Sequence, residues 1–112
     1  MGKSELILRG VITLYVISEL IDKPMNGYEL EKTISERLMK EMPRGSIYVI
    51  LKNASRKRLI KCEVIENSRG QKVKVYTVTD KGKEFFYKHE EPLSIAKGII
   101  EELLERIREK KD

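Results

Sequence analysis

The chain has 112 residues, 40% hydrophobic and 37% charged, enough for one domain with one modest core and too short for a second, catalytic domain. With Cys62 the single cysteine and His89 the single histidine, neither an intrachain disulfide nor a finger-type zinc site can be assembled, so no metal and no cofactor is expected. The formal net charge of +5 suits an acidic polymer as partner, and because eight basic residues balance eight acidic ones from Lys81 onward, the surplus lies upstream.

Residues 5–21 carry Leu6, Leu8, Val11, Ile12, Leu14, Tyr15, Val16, Ile17, Leu20 and Ile21, too many apolar positions for a single stripe. The run is also long for a strand, so it predicts a helix buried on more than one face. Arg9, Ser18 and Glu19 interrupt it, it falls short of the roughly 20 apolar residues of a membrane span, and no small-residue cleavage site follows. A cytoplasmic protein is expected. Asp22-Lys23-Pro24-Met25 ends this helix, since proline bars its continuation. Asn26, with Glu29 three residues on, forms a capping box that starts a second helix near Gly27, with Tyr28, Leu30, Ile34 and Leu38 as its inward positions.

Pro43 and Gly45 punctuate the chain before a third helix over about 46–57. Between Glu41 and Glu63 there is no carboxylate, whereas Arg44, Lys52, Arg56, Lys57, Arg58 and Lys61 are all cationic. At about 100° per residue Ile47, Ile50, Leu51 and Ala54 share one side, and Tyr48, Val49, Lys52, Asn53 and Arg56 face away. One side anchors while the other is free to touch something acidic. Two short helices joined through a glycine match the helix-turn-helix pattern, with residues 40–45 a somewhat long connection. Alternating runs at 61–66 and 72–78 flank Asn67-Ser68-Arg69-Gly70-Gln71 and predict an antiparallel hairpin packed on the helices, with Cys62 buried. Arg69, Lys72 and Lys74 make that hairpin basic, which gives the winged variant.

Thr79 or Asp80 caps a fourth helix through Phe85, Phe86 and Tyr87 to about His89, and Pro92 marks a break and suits the first turn of a new one. From Leu93, the residues Ala96, Ile99, Ile100, Leu103 and Ile107 recur every three or four positions, with Glu101, Glu102, Glu105 and Arg108 on the other side. A helix over 93–109 is about 25 Å long, more than a small domain covers alone. A partner subunit is the expected cover for this stripe and for Leu8, Ile12 and Tyr15 of the first helix, which predicts a symmetric homodimer. The fold class expected is mostly α with a small β-hairpin (α+β): a winged helix-turn-helix over 1–80 and a helical dimerisation region over 81–112, in a single compact unit.

The partner such a surface fits is double-stranded DNA, whose closely spaced phosphates release counterions when neutralised. Lys52, Asn53 and Arg56 are placed to reach base edges, with phosphate positioning the equally common alternative. Arg44, Ser46 and Tyr48 join them as DNA contacts, Tyr48 by a bond from its hydroxyl to a phosphate with packing against the hairpin as the alternative, and the wing residues Arg69, Lys72 and Lys74 suit backbone or minor groove. In a dimer the two recognition helices meet half-sites about 34 to 36 Å apart, which calls for a palindromic operator. Phe85, Phe86, Tyr87, Ile95 and Ile99 line an expected effector pocket near the dimer seam, with ordinary interface packing as the alternative. An enzyme is not expected, because Cys62 and His89 lack any oxyanion-type glycine loop. The competing class is a winged-helix module that binds protein and not nucleic acid.

Several segments together carry a family resemblance: Pro24-Met25-Asn26-Gly27-Tyr28-Glu29-Leu30, Gly45-Ser46-Ile47-Tyr48 with Leu51, and Tyr76-Thr77-Val78-Thr79-Asp80-Lys81-Gly82. On these the chain, over about residues 5–85, resembles the PadR family of transcriptional regulators. The resemblance implies a homodimeric winged-helix repressor that leaves its operator when a small effector binds. Arg58-Leu59-Ile60 stands where family members often read Gly-Leu-Ile, and Val49 where they commonly carry proline. The single short C-terminal region is similar to that of the smaller subfamily. Effector-binding members often use aromatic side chains, tryptophan among them, at the dimer interface; this chain has no tryptophan, so drug binding is not carried over.

Overall fold

A computed structural model describes residues 3–38 and 45–111, with side chains from Leu8 onward. Along the chain run α1 (Lys3–Asp22), β1 (Met25–Asn26), α2 (Gly27–Leu38), α3 (Ser46–Arg56), β2 (Ile60–Glu66), β3 (Lys72–Val78), α4 (Asp80–Tyr87) and α5 (Glu90–Lys111). Residues 40–44, expected to connect the second and third helices, lie outside the described residues.

α1 is the central support. Ile12, Leu14, Val16, Ile17 and Leu20 are buried, and Val16 and Ile17, about 100° apart on the helix, are both 0% exposed. Two faces are therefore covered at once, which explains why no single stripe is visible. Ile12, expected at a subunit seam, is instead part of the chain's own core. Leu8 and Tyr15 are half-buried against that core, and Tyr15 is further covered by Arg37, whose guanidinium carbon lies 5.6 Å from its ring centre. Among the described side chains of α1, Val11 is an exposed large apolar residue.

The sheet is three-stranded and antiparallel in the order β1-β3-β2. β1 was not legible in the sequence, because two residues have no periodicity; the register Met25↔Tyr76 and Asn26↔Val75 defines it. This pairing delivers the chain straight from the sheet into α2. There the capping box closes as expected: the Asn26 side-chain oxygen accepts from the Glu29 amide at 2.8 Å, and the Glu29 carboxylate accepts from the Asn26 amide at 3.0 Å. Tyr28 is not inward. It is exposed, because it lies about 200° around the helix from buried Leu30 and the two cannot share a face.

α3 buries Ile47, Ile50, Leu51 and Ala54 and ends in a Schellman motif. The Leu59 amide donates to the Ala54 carbonyl at 3.0 Å and the Arg58 amide to the Ser55 carbonyl at 2.9 Å. The residue in the left-handed conformation is Arg58, at φ 63°. The β2–β3 hairpin pairs from Ile60↔Val78 to Glu66↔Lys72. Its turn is organised by Asn67, whose side-chain oxygen accepts from the amides of Arg69 and Gln71, both at 2.9 Å. β2 is an edge strand, exposed at every residue after Ile60. Cys62, expected to be buried, is exposed there.

Of the two caps considered for α4, Thr79 is the one used: its hydroxyl oxygen accepts from the Gly82 amide at 3.0 Å. The same hydroxyl lies 2.7 Å from the Arg58 carbonyl oxygen and 3.0 Å from that of Leu59, so it also donates back to the end of the α3 motif. Gly82 packs directly on the Leu59 carbonyl, where any Cβ would collide with backbone. Phe85 and Phe86 complete the attachment by packing on the core. α4 is thus part of the winged body. α5 begins at Glu90, with Pro92 in its first turn, where a missing N–H leaves no bond unmade. Its 22 residues span about 33 Å and bury none of their side chains. The molecule is accordingly elongated, 59 Å in its longest dimension.

Candidate nucleic-acid interface

With the core side of α3 fixed by Ile47, Ile50, Leu51 and Ala54, helical geometry dictates what faces out. Val49, Lys52 and Arg56 fall within about 60° of one another on the far side, and all three are exposed. Asn53, about 100° from Lys52 and about 60° from Arg56, is half-buried and lines a cleft of about 410 Å³ with Arg9, Thr13, Lys57, Leu59 and Phe85. Tyr48 flanks the opposite side of the ridge, 52% exposed, with its ring over Gly27. Ser46, half-buried, opens the helix, and Arg44 lies outside the described residues.

The wing supplies the second cationic surface. Arg69 sits in the turn, and strand alternation places Lys72 and Lys74 on one face of β3 together with Tyr76; all three cations are exposed. Among the described residues the ion pairs are Lys88–Glu84, at 2.5 Å, and Arg106–Glu102, at 2.6 Å, both exposed. The cations of α3 and the wing are therefore not spent on internal carboxylates. Sequence reasoning missed Tyr28 as a member of this surface. Its spacing of two from Leu30 was the available signal. Tyr28 and Tyr48 converge with Lys72, Lys74 and Tyr76 around a cleft of about 350 Å³.

Burial raises the ionisation of the Tyr76 hydroxyl above its ordinary value, and the neighbouring Cys62 and then Tyr48 push it the same way. Tyr76 is the buried residue at the floor of this cleft. The expected effector residues do not converge within one chain. Phe85 and Phe86 pack inward, Phe85 with its ring centre 4.4 Å from that of His89, whereas Ile95 and Ile99 are exposed on α5. No group of side chains suited to a metal ion occurs among the described residues, and no helix there is long and apolar enough to cross a membrane.

A three-helix body, an outward cationic third helix and a basic hairpin beside it define a winged helix-turn-helix, the architecture of a DNA-binding regulator. The family model for PadR-like transcriptional regulators matches residues 14–88, and the chain belongs to that family. It is similar in structure to a protein of Thermoplasma acidophilum assigned as a transcriptional regulator, with 42% identity, TM-score 0.85 and coverage of 90% of this chain and 97% of that one. A PadR-like transcriptional regulator of Bacillus cereus matches with 26% identity and TM-score 0.74 over 88% of this chain and 96% of that one. A PadR family regulator of Clostridium difficile matches with 32% identity and TM-score 0.69 over 83% and 97%. The family comprises transcriptional regulators, not enzymes.

Proposed function

We propose that the protein acts as a homodimeric repressor at a palindromic operator. The observation that carries this reading is the exposed ridge of Lys52 and Arg56 on α3, free of internal ion pairs and flanked by the cations of the wing. Lys52 and Arg56 read base edges from the major groove, where arginine and lysine donate to guanine. Arg69, Lys72 and Lys74 hold the sugar-phosphate backbone and fix the register.

The dimer reading is supported by α5. Ile95, Ile99, Ile100, Leu103, Leu104 and Ile107 are each more than 40% exposed in the single chain, an apolar length that a soluble domain covers with a second subunit. Residues 81–112 then divide in role, with α4 fixing the body and α5 joining the subunits. A small effector would release the operator by binding more tightly to a spacing of the two ridges that does not fit the duplex, since a ligand shifts an equilibrium only by its differential affinity.

The test is a titration of labelled DNA from upstream of the protein's own coding region over a series of salt concentrations. Affinity should fall steeply with salt and collapse in Lys52→Glu or Arg56→Glu. Binding that ignores both salt and those substitutions, or no binding at all, would favour a module that docks on protein.

A further inference from the structure

The cleft between the first turn of α2, α3 and β3 holds more donors than the fold uses. Three local facts build it. Alternation along β3 aims Lys72, Lys74 and Tyr76 to one face. The pairing of Met25 with Tyr76 then brings the start of α2 against that face. Finally, Gly27 is buried and has no side chain, which lets the Tyr48 ring close over it: a Cβ at Gly27 would stand 2.8 Å from Tyr48 Cε1. Tyr76 forms the buried floor, and Tyr28 and Tyr48, 71% and 52% exposed, form the rim.

Among the described residues, no acidic side chain lines this space. Two carboxylates of the neighbouring elements are held elsewhere. Glu29 is held on the Asn26 amide, and the carboxylate of Glu66, the cross-strand partner of Lys72, is directed to the turn, where a Cβ at Gly70 would lie 3.5 Å from it. What remains is a pair of ammonium groups and two phenolic O–H donors around a concave space, without a counter-anion. That donor set fits a tetrahedral oxyanion. Its position beside the Lys52–Arg56 ridge identifies the source as the DNA backbone.

Resting on the DNA-binding reading above, we propose that this cleft seats one phosphodiester of the duplex. Tyr28 and Tyr48 donate hydrogen bonds to its oxygens, Lys72 and Lys74 supply the charge, and Gly27 is the positioning residue that keeps Tyr48 in place. A backbone phosphate carries no sequence information. The cleft therefore contributes equally to cognate and unrelated DNA, unlike Lys52 and Arg56.

The experiment uses the full chain, fluorescence anisotropy, and two duplexes of equal length, one cognate and one unrelated, over a salt series. Tyr28→Phe and Tyr48→Phe should each weaken both duplexes by a similar factor, about ten- to a hundredfold, the effect of one hydrogen bond to a charged group. Their salt slopes should match the wild type, whereas Lys72→Ala with Lys74→Ala should flatten the slope by roughly 0.9, the value for one phosphate contact. Gly27→Ala should reproduce the Tyr48→Phe loss with an unchanged melting temperature, and the two together should be no worse than either alone. Tyr28→Phe and Tyr48→Phe do not depend on how Gly27→Ala folds. Unchanged affinity in both while Lys52→Glu still abolishes binding would overturn the phosphate seat and leave the DNA-binding reading intact. Loss confined to the cognate duplex would overturn it too, and a wild type that binds no duplex would overturn both.

Discussion

Replacing Arg58 by glycine should stabilise the protein while removing a long side chain. Arg58 occupies the left-handed position of the Schellman motif that ends α3, at φ 63°, and the backbone cannot leave it. The Arg58 amide is bonded to Ser55, the next amide to Ala54, and the Arg58 carbonyl oxygen to the Thr79 hydroxyl that also caps α4. A residue with a Cβ pays about 1–2 kcal/mol for that conformation. Glycine avoids this but loses about 0.5–1 kcal/mol more chain entropy on folding, so the net gain for Arg58→Gly is about 0.5–1 kcal/mol, a few degrees in melting temperature for a chain of this size. Arg58→Ala is the control. It deletes the same charge and keeps the Cβ, so it should be no more stable than the wild type. Urea unfolding followed by circular dichroism, at one protein concentration, measures both. Equal stability of Arg58→Gly and Arg58→Ala would refute the strain argument and leave only a charge effect.

Gly82→Ala should destabilise the fold by at least about 2 kcal/mol, because its Cβ meets the Leu59 backbone carbonyl and not a flexible side chain; loss of α4 protection in hydrogen exchange would accompany it, and a neutral result would contradict the packing described. Ile99→Glu with Leu103→Glu should leave the melting of the winged body in place and lower the mass in light scattering from that of the proposed dimer to that of a monomer, since both side chains are exposed in the single chain; a dimer mass that persists would place the subunit contact elsewhere, and a monomeric wild type would contradict the proposed dimer. The raised ionisation of Tyr76 has a definite sign in stability. Below its ordinary value, 10, both states keep the proton and the contribution is fully present. Above it the unfolded chain releases a proton that the native state retains, so stability falls as pH rises toward the higher native value. Tyr76→Phe should flatten the decline of the urea midpoint between pH about 9 and about 11, and an identical decline in the variant would assign it to other groups.

Much of the body was legible because its signals are local and redundant. The four apolar residues of α3 lie on one side, the Asn26–Glu29 box closes as its spacing requires, and the hairpin turns at Asn67. The misreadings have a common physical origin, which is that burial depends on neighbours distant in sequence. Ile12 was placed on the outside of α1 because that helix is apolar all round, and nothing local tells which apolar face meets the core. Cys62 alternates correctly, yet β2 is an edge strand with neither face covered beyond Ile60. Tyr28 was a misreading that could have been avoided from its spacing alone, whereas the two-residue β1 could not have been seen.

Selection of bound duplexes from a random pool tests the central claim most directly, that the α3 ridge reads DNA in a symmetric pair. A palindrome should emerge with half-site centres about 34 to 36 Å apart, one helical turn, and Lys52→Glu with Arg56→Glu should abolish the enrichment. Failure to enrich any sequence, or enrichment that survives the loss of both cations, would contradict it.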